Sequence, residues 1–201
     1  MQLIFLLTAA DIFYLLQLIF LLTAADIFTY LNELNLSLQG ATVNRFKIED
    51  KIEAIIIKFG LWLKRINNCV YESFPTLNDF IETSNKELPD ETRQIFVEHL
   101  MTLKSSFRNY FPCPDSGNNW IRDPFNTEVS NAKHLSVFEE DNLAKMSCDT
   151  SLKLQFNKIE LTNFWLLLRS DYPALANREL KHLVPFCTTY LWEQAFLYYF
   201  M

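Results

Sequence analysis

Six large apolar residues, Ile48, Ile52, Ile55, Phe59, Trp62 and Ile66, recur at intervals of 4, 3, 4, 3 and 4. Only an α-helix gathers such a series onto one side, because its residues three and four apart share a face. Glu49 and Asp50 stand near the start of the stripe and Lys64 and Arg65 near its end, the order the helix dipole favours. A second stripe, Phe96, Leu100, Leu103 and Phe107, follows Pro89, Asp90 and Glu91 and closes on Lys104 and Arg108 before Pro112. Proline at the first helical position and an acidic first turn mark a helix start. Shorter pieces are expected after Pro75, with Leu77, Phe80 and Ile81 on one side, and over residues 137–146, 161–170, 174–184 and 188–200. Three glycines and seven prolines in 201 residues do not supply the turns of a β-sandwich or barrel. The expected fold is mainly α, a helical bundle.

Between Pro112 and Ser136 the helical spacing breaks down into a polar, turn-rich stretch, long for a loop in a compact domain. A short strand is expected near Glu128 and Val129, and Trp120, Ile121 and Phe125 should pin the stretch to the helices. His99 lies beside the second stripe and reads as a partly buried boundary histidine.

The amino terminus carries an identical repeat: QLIFLLTAADIF at Gln2–Phe13 recurs at Gln17–Phe28, a period of 15 residues. Fifteen residues make about four helical turns plus about 60°, so both copies share a similar side of one helix. A secretory signal would want a basic start, yet no Lys or Arg precedes Arg45. A membrane span would want about 20 apolar residues, and Asp11 and Asp26 interrupt the run. The expectation is a helix packed in a protein core, with a membrane anchor over residues 1–28 as the alternative.

No phosphate-cradling glycine loop, nucleophile elbow, HExxH or paired-carboxylate signature occurs. Cys69, Cys113, Cys148 and Cys187 form no CxxC pair, and His99, His134 and His182 match no zinc-ligand spacing. Free thiols in a reducing compartment, no metal and no cofactor are expected. The net charge of −6 gives no general attraction to phosphate, so direct DNA binding is not expected.

Three segments go further. ADIFTYLNELNLSLQG (Ala25–Gly40), FPTLNDFIE (Phe74–Glu82) and LTNFWLLLRSDYPALANRELKHLVPFCTTYLWEQAFLYY (Leu161–Tyr199) stand in an order, with RNYFP and NNWIRDPF between them, that resembles the C-terminal half of hAT-transposase-derived proteins. The group in question includes BED-type zinc finger, SCAN-domain and general transcription factor II-I repeat-domain members. That resemblance implies residues 1–24 as a duplicated apolar extension, 25–145 as helices of the insertion in an RNase H-like core, and 146–201 as a truncated dimerisation region. It implies Phe164 and Trp165 as an aromatic anchor, with Leu191, Phe196 and Tyr199 completing the dimerisation face. It places Glu193 at the third of three metal-binding carboxylates, a vestige without the two upstream aspartates that two-metal strand transfer requires. The implied function is a non-catalytic interaction fragment, nuclear or cytosolic, with a membrane-associated helical protein anchored by residues 1–28, or the product of a degenerate transposon gene without selected function, as the alternatives. Its implied partner is a second copy or a related hAT-derived protein.

Overall fold

The computed structural model describes residues 9–40, 43–84, 87–126 and 128–183, with side chains from residue 17 onward. Among these residues there are nine α-helices and no strand. They are α1 (Ala9–Ser37), α2 (Arg45–Asn67), α3 (Pro75–Ser84), α4 (Asp90–Tyr110), α5 (Asn119–Arg122), α6 (Val137–Ser147), α7 (Thr150–Phe156), α8 (Leu161–Leu167) and α9 (Pro173–Leu183). The chain forms two compact units, one of residues 1–37 with 51–112 and one of residues 38–50 with 113–201. α1 runs unbroken through residues 24 and 25, and α6 runs through residues 145 and 146.

The first unit is built on the α2 stripe. Ile52, Ile55, Phe59, Trp62 and Ile66 are all buried, as the spacing predicts. Trp62 stands edge-on to Phe59 and to Phe74, and Phe74 edge-on to Phe96 of α4, with centroids 5.4, 5.4 and 4.8 Å apart. Each such pair adds about 0.5–1.5 kcal/mol beyond the area it buries. The Tyr30 ring lies 4.8 Å from Trp62, and its hydroxyl donates to the Ser73 carbonyl at 2.8 Å. Arg108 of α4 grips Glu53 of α2 with two hydrogen bonds of 2.9 and 2.8 Å.

α1 is only partly the core helix expected. Ile19, Thr23 and Asp26 are buried, whereas Leu18, Phe20, Leu21 and Phe28 are exposed. The helix packs on α3 and α4, and two neighbours cannot cover a helix that is apolar on nearly every side. Asp26 has its own role. Its carboxylate accepts from the Thr76 N–H at 3.1 Å and the Leu77 N–H at 3.2 Å, at the start of α3. Those amides have no partner inside α3, and the positive end of its dipole faces the charge. The aspartate that interrupts the apolar run is thus a cap supplied from 50 residues away. Among the described residues no helix is long and apolar enough to cross a membrane.

In the second unit the irregular stretch is pinned as expected. Trp120 and Ile121 are buried, and Phe125 packs against the same core. The strand expected at Glu128–Val129 is absent: Val129–Asn131 forms a 3-10 turn closed by the Ala132 N–H on the Val129 carbonyl. Two consecutive residues with no neighbouring strand to pair with gain nothing from extension. α7 was not expected. Asp149 caps it by accepting from the Ser151 and Leu152 amides at 2.8 and 3.0 Å. His99 also departs from expectation: it is exposed, with its ring 5.4 Å from that of Phe20.

Candidate functional site

α8 and α9 hold most of the unusual chemistry of the second unit. Phe164 and Trp165 are fully buried. The Phe164 ring meets Phe156 at 4.9 Å and Phe125 at 5.9 Å. Trp165 stands perpendicular to Trp120 at 6.0 Å, and its indole N–H donates to the Ile121 carbonyl at 3.1 Å. A buried indole with its one donor satisfied is a structural anchor. The next two residues turn outward: Leu166 and Leu167 are 48% and 50% exposed. One helical turn therefore carries an inward aromatic pair and an outward leucine pair.

α6 opens with a capping box, in which the Ser136 hydroxyl accepts from the Glu139 amide while the Glu139 carboxylate accepts from the Ser136 N–H. Arg178 of α9 then holds both Glu139 oxygens, at 2.9 and 3.0 Å, and donates to the His134 carbonyl at 2.6 Å. Burial pushes the Glu139 carboxyl up, but the Ser136 and Arg178 hydrogen bonds outweigh it and hold the group below its ordinary range.

Glu179, the next residue, is fully buried, and neither carboxyl oxygen has a hydrogen-bond partner among the described residues. It occupies the inward side of α9 with Leu175, Ala176 and Leu183. Burial pushes its carboxyl up to about 8, Arg178 opposing and the Glu139 charge adding. Burial thus favours the protonated form of Glu179 at neutral pH. Glu179 and Trp120, whose buried indole N–H has no hydrogen-bond partner among the described residues, line one cavity of about 530 Å³. His182 borders it too, its imidazole shifted down by burial and by the Arg45 charge.

Of the residues assigned from resemblance, Phe164 and Trp165 come together in this core. Leu191, Phe196, Tyr199 and Glu193 lie outside the described residues. Among the described residues no group of three or more His, Cys, Asp or Glu side chains could hold a metal ion. The sequence reading missed Glu179, although a helical wheel would have found it: it lies four residues from Leu175 and four from Leu183.

No protein-family model matches the chain, and no solved structure matches it. Curated proteins do. General transcription factor II-I repeat domain-containing protein 2 of Mus musculus is 26% identical over 171 residues, which is 84% of this chain and 17% of that protein's length. The chain is thus similar, over most of its own length, to a small part of a much longer protein.

Proposed function

We propose that this chain is a non-catalytic interaction and dimerisation fragment of a domesticated hAT transposase, self-associating through residues 161–200. The observation that carries the proposal is the similarity over 171 residues to the mouse protein, which agrees with the resemblance carried by the ordered segments from Ala25 to Tyr199. The assignment of 25–145 to the helical insertion and of 146–201 to the dimerisation region belongs to the same proposal. So does a nuclear or transcription-related role, which the relative's name suggests.

The geometry of α8 supports a contact surface at Leu166 and Leu167, held in place from beneath by Phe164 and Trp165. Light scattering of the full chain at micromolar concentration tests it. The double change Leu166→Glu and Leu167→Glu, at half-exposed positions, should raise the dissociation constant of this contact at least tenfold, since two leucines lose their burial and two like charges meet. An unchanged mass with unchanged helicity would remove α8 from the interface.

The proposal also treats Glu193 as a vestige. With Mg²⁺ or Mn²⁺, plasmid nicking by the full chain should stay at background and be unaffected by Glu193→Ala. Metal-dependent nicking lost in that variant would establish residual catalysis.

A further inference from the structure

The cavity of about 530 Å³ in the second unit has no part in the proposed function. It is of the size that holds a small molecule, and its lining is graded. Lys133, His134, Asn177 and Lys181 are exposed and mark the mouth, whereas Trp120 and Glu179 are buried and mark the floor. The floor is unsatisfied. The Trp120 indole N–H and both Glu179 oxygens are shielded from water and have no hydrogen-bond partner among the described residues. A donor buried without an acceptor is a standing cost, which an acceptor entering from the cavity removes. Burial also favours the protonated form of Glu179, so the floor carries a second donor and no charge.

The mouth supplies positive charge, in a chain whose net charge is −6. Lys133 and Lys181 bring ammonium groups, while Arg178 and Glu139, which also line the cavity, neutralise each other at 2.9 and 3.0 Å. Asp115, outside the lining, lies 3.7 Å from Lys133 Nζ and from His134 Nε2. Gly117 sets the course of Lys133. The lysine N–H donates to the Gly117 carbonyl at 3.1 Å, and a Cβ on that glycine would meet Lys133 Cδ at 2.5 Å.

We propose that this cavity binds a small phosphate monoester, its oxygens accepting from Trp120 and Glu179 at the floor and its charge balanced by Lys133 and Lys181. A phosphate is selected over a carboxylate by count. Its three terminal oxygens can accept from the indole N–H, the Glu179 hydroxyl and the Asn118 or Asn177 amide together, where a carboxylate offers two. Its charge of about −1.5 to −2 matches two ammonium groups. The volume exceeds what one phosphate group fills, which leaves room for the body of the ester.

Leu166 and Leu167 do not line the cavity, so binding and self-association are measured separately. The full chain is titrated at constant ionic strength with glycerol phosphate, inorganic phosphate and acetate. The readout is the set of indole N–H signals of its four tryptophans in proton–nitrogen correlation spectra. Glycerol phosphate should move the Trp120 signal, identified by its loss in Trp120→Phe, and leave that of Trp62 in place. By calorimetry it should bind more tightly than inorganic phosphate, and acetate more weakly than either. Lys133→Gln with Lys181→Gln alters exposed side chains alone and should weaken glycerol phosphate at least tenfold. Gly117→Ala should weaken it too, by displacing Lys133 without altering charge. A Trp120 signal unmoved by glycerol phosphate at about 10 mM overturns the proposal, since a specific site binds more tightly than that. Undiminished affinity in the double lysine variant, or acetate bound as tightly as glycerol phosphate, overturns it as well.

Discussion

Replacing Glu179 by glutamine should flatten the pH dependence of unfolding of the second unit. In the folded chain the carboxyl keeps its proton to about pH 8, against an ordinary value of 4.5. Below pH 4.5 folded and unfolded states are both protonated, and Glu179 adds no slope. Between 4.5 and about 8 the unfolded chain is ionised and the folded chain is not, so unfolding releases a proton and stability falls as pH rises. The fall is about 1.4 kcal/mol per pH unit, roughly 5 kcal/mol in all. Glutamine removes the titration while keeping shape and polarity. Urea unfolding of wild type and Glu179→Gln at pH 5, 6, 7 and 8 measures it as the difference between the two curves. That difference isolates Glu179 from Glu53, Asp115 and Glu139, whose folded values lie below their ordinary range and whose contributions are instead lost at acid pH. The variant should gain on wild type steadily with pH. Parallel curves would mean that Glu179 is solvated or paired.

Asp26→Ala should cost the first unit about 2–3 kcal/mol. The alanine leaves the Thr76 and Leu77 amides without an acceptor at a helix start that Asp26 now covers. Loss of a cap costs about 1 kcal/mol, and each buried donor left unsatisfied about 1–3. The loss should be local before it is global. Hydrogen exchange at Thr76 and Leu77 should accelerate roughly 30-fold or more, as 2 kcal/mol implies. Asp26→Asn keeps an acceptor oxygen and should recover about half of the loss. Unchanged exchange in the alanine variant would mean that water replaces the carboxylate and that Asp26 is incidental to α3.

These two carboxylates show where sequence stops being legible. Helix existence was readable wherever an apolar stripe ran for three turns or more: α2 and α4 fall within a few residues of their expected bounds. α7 was missed because seven residues hold only Leu152 and Phe156 as a pair, too few to form a pattern, though its Asp149 cap was in view. The role of Asp26 could not be read, because its partners lie 50 residues away and nothing local marks them. Asp11 stands in the same local sequence, Ala-Ala-Asp-Ile-Phe, so nothing nearby in the chain distinguishes the two aspartates. Glu179 was legible in principle, yet a charged residue between Arg178 and Leu180 looks like surface until its helical face is drawn. The resemblance implies Phe164 and Trp165 as an aromatic anchor of the dimerisation region; that both are buried depends on Trp120, Ile121 and Phe125 arriving from an irregular stretch.

The helix that looked like either a core element or a membrane anchor is neither in full. One side is buried against α3 and α4, and the opposite side is apolar and open.

Light scattering of the full chain across micromolar concentrations, with and without the Leu166→Glu and Leu167→Glu changes, tests the central claim of a self-associating module most directly. The account predicts a mass well above monomer that falls by half in the variant. A full chain that remains monomeric at tens of micromolar, folded and soluble, would contradict it.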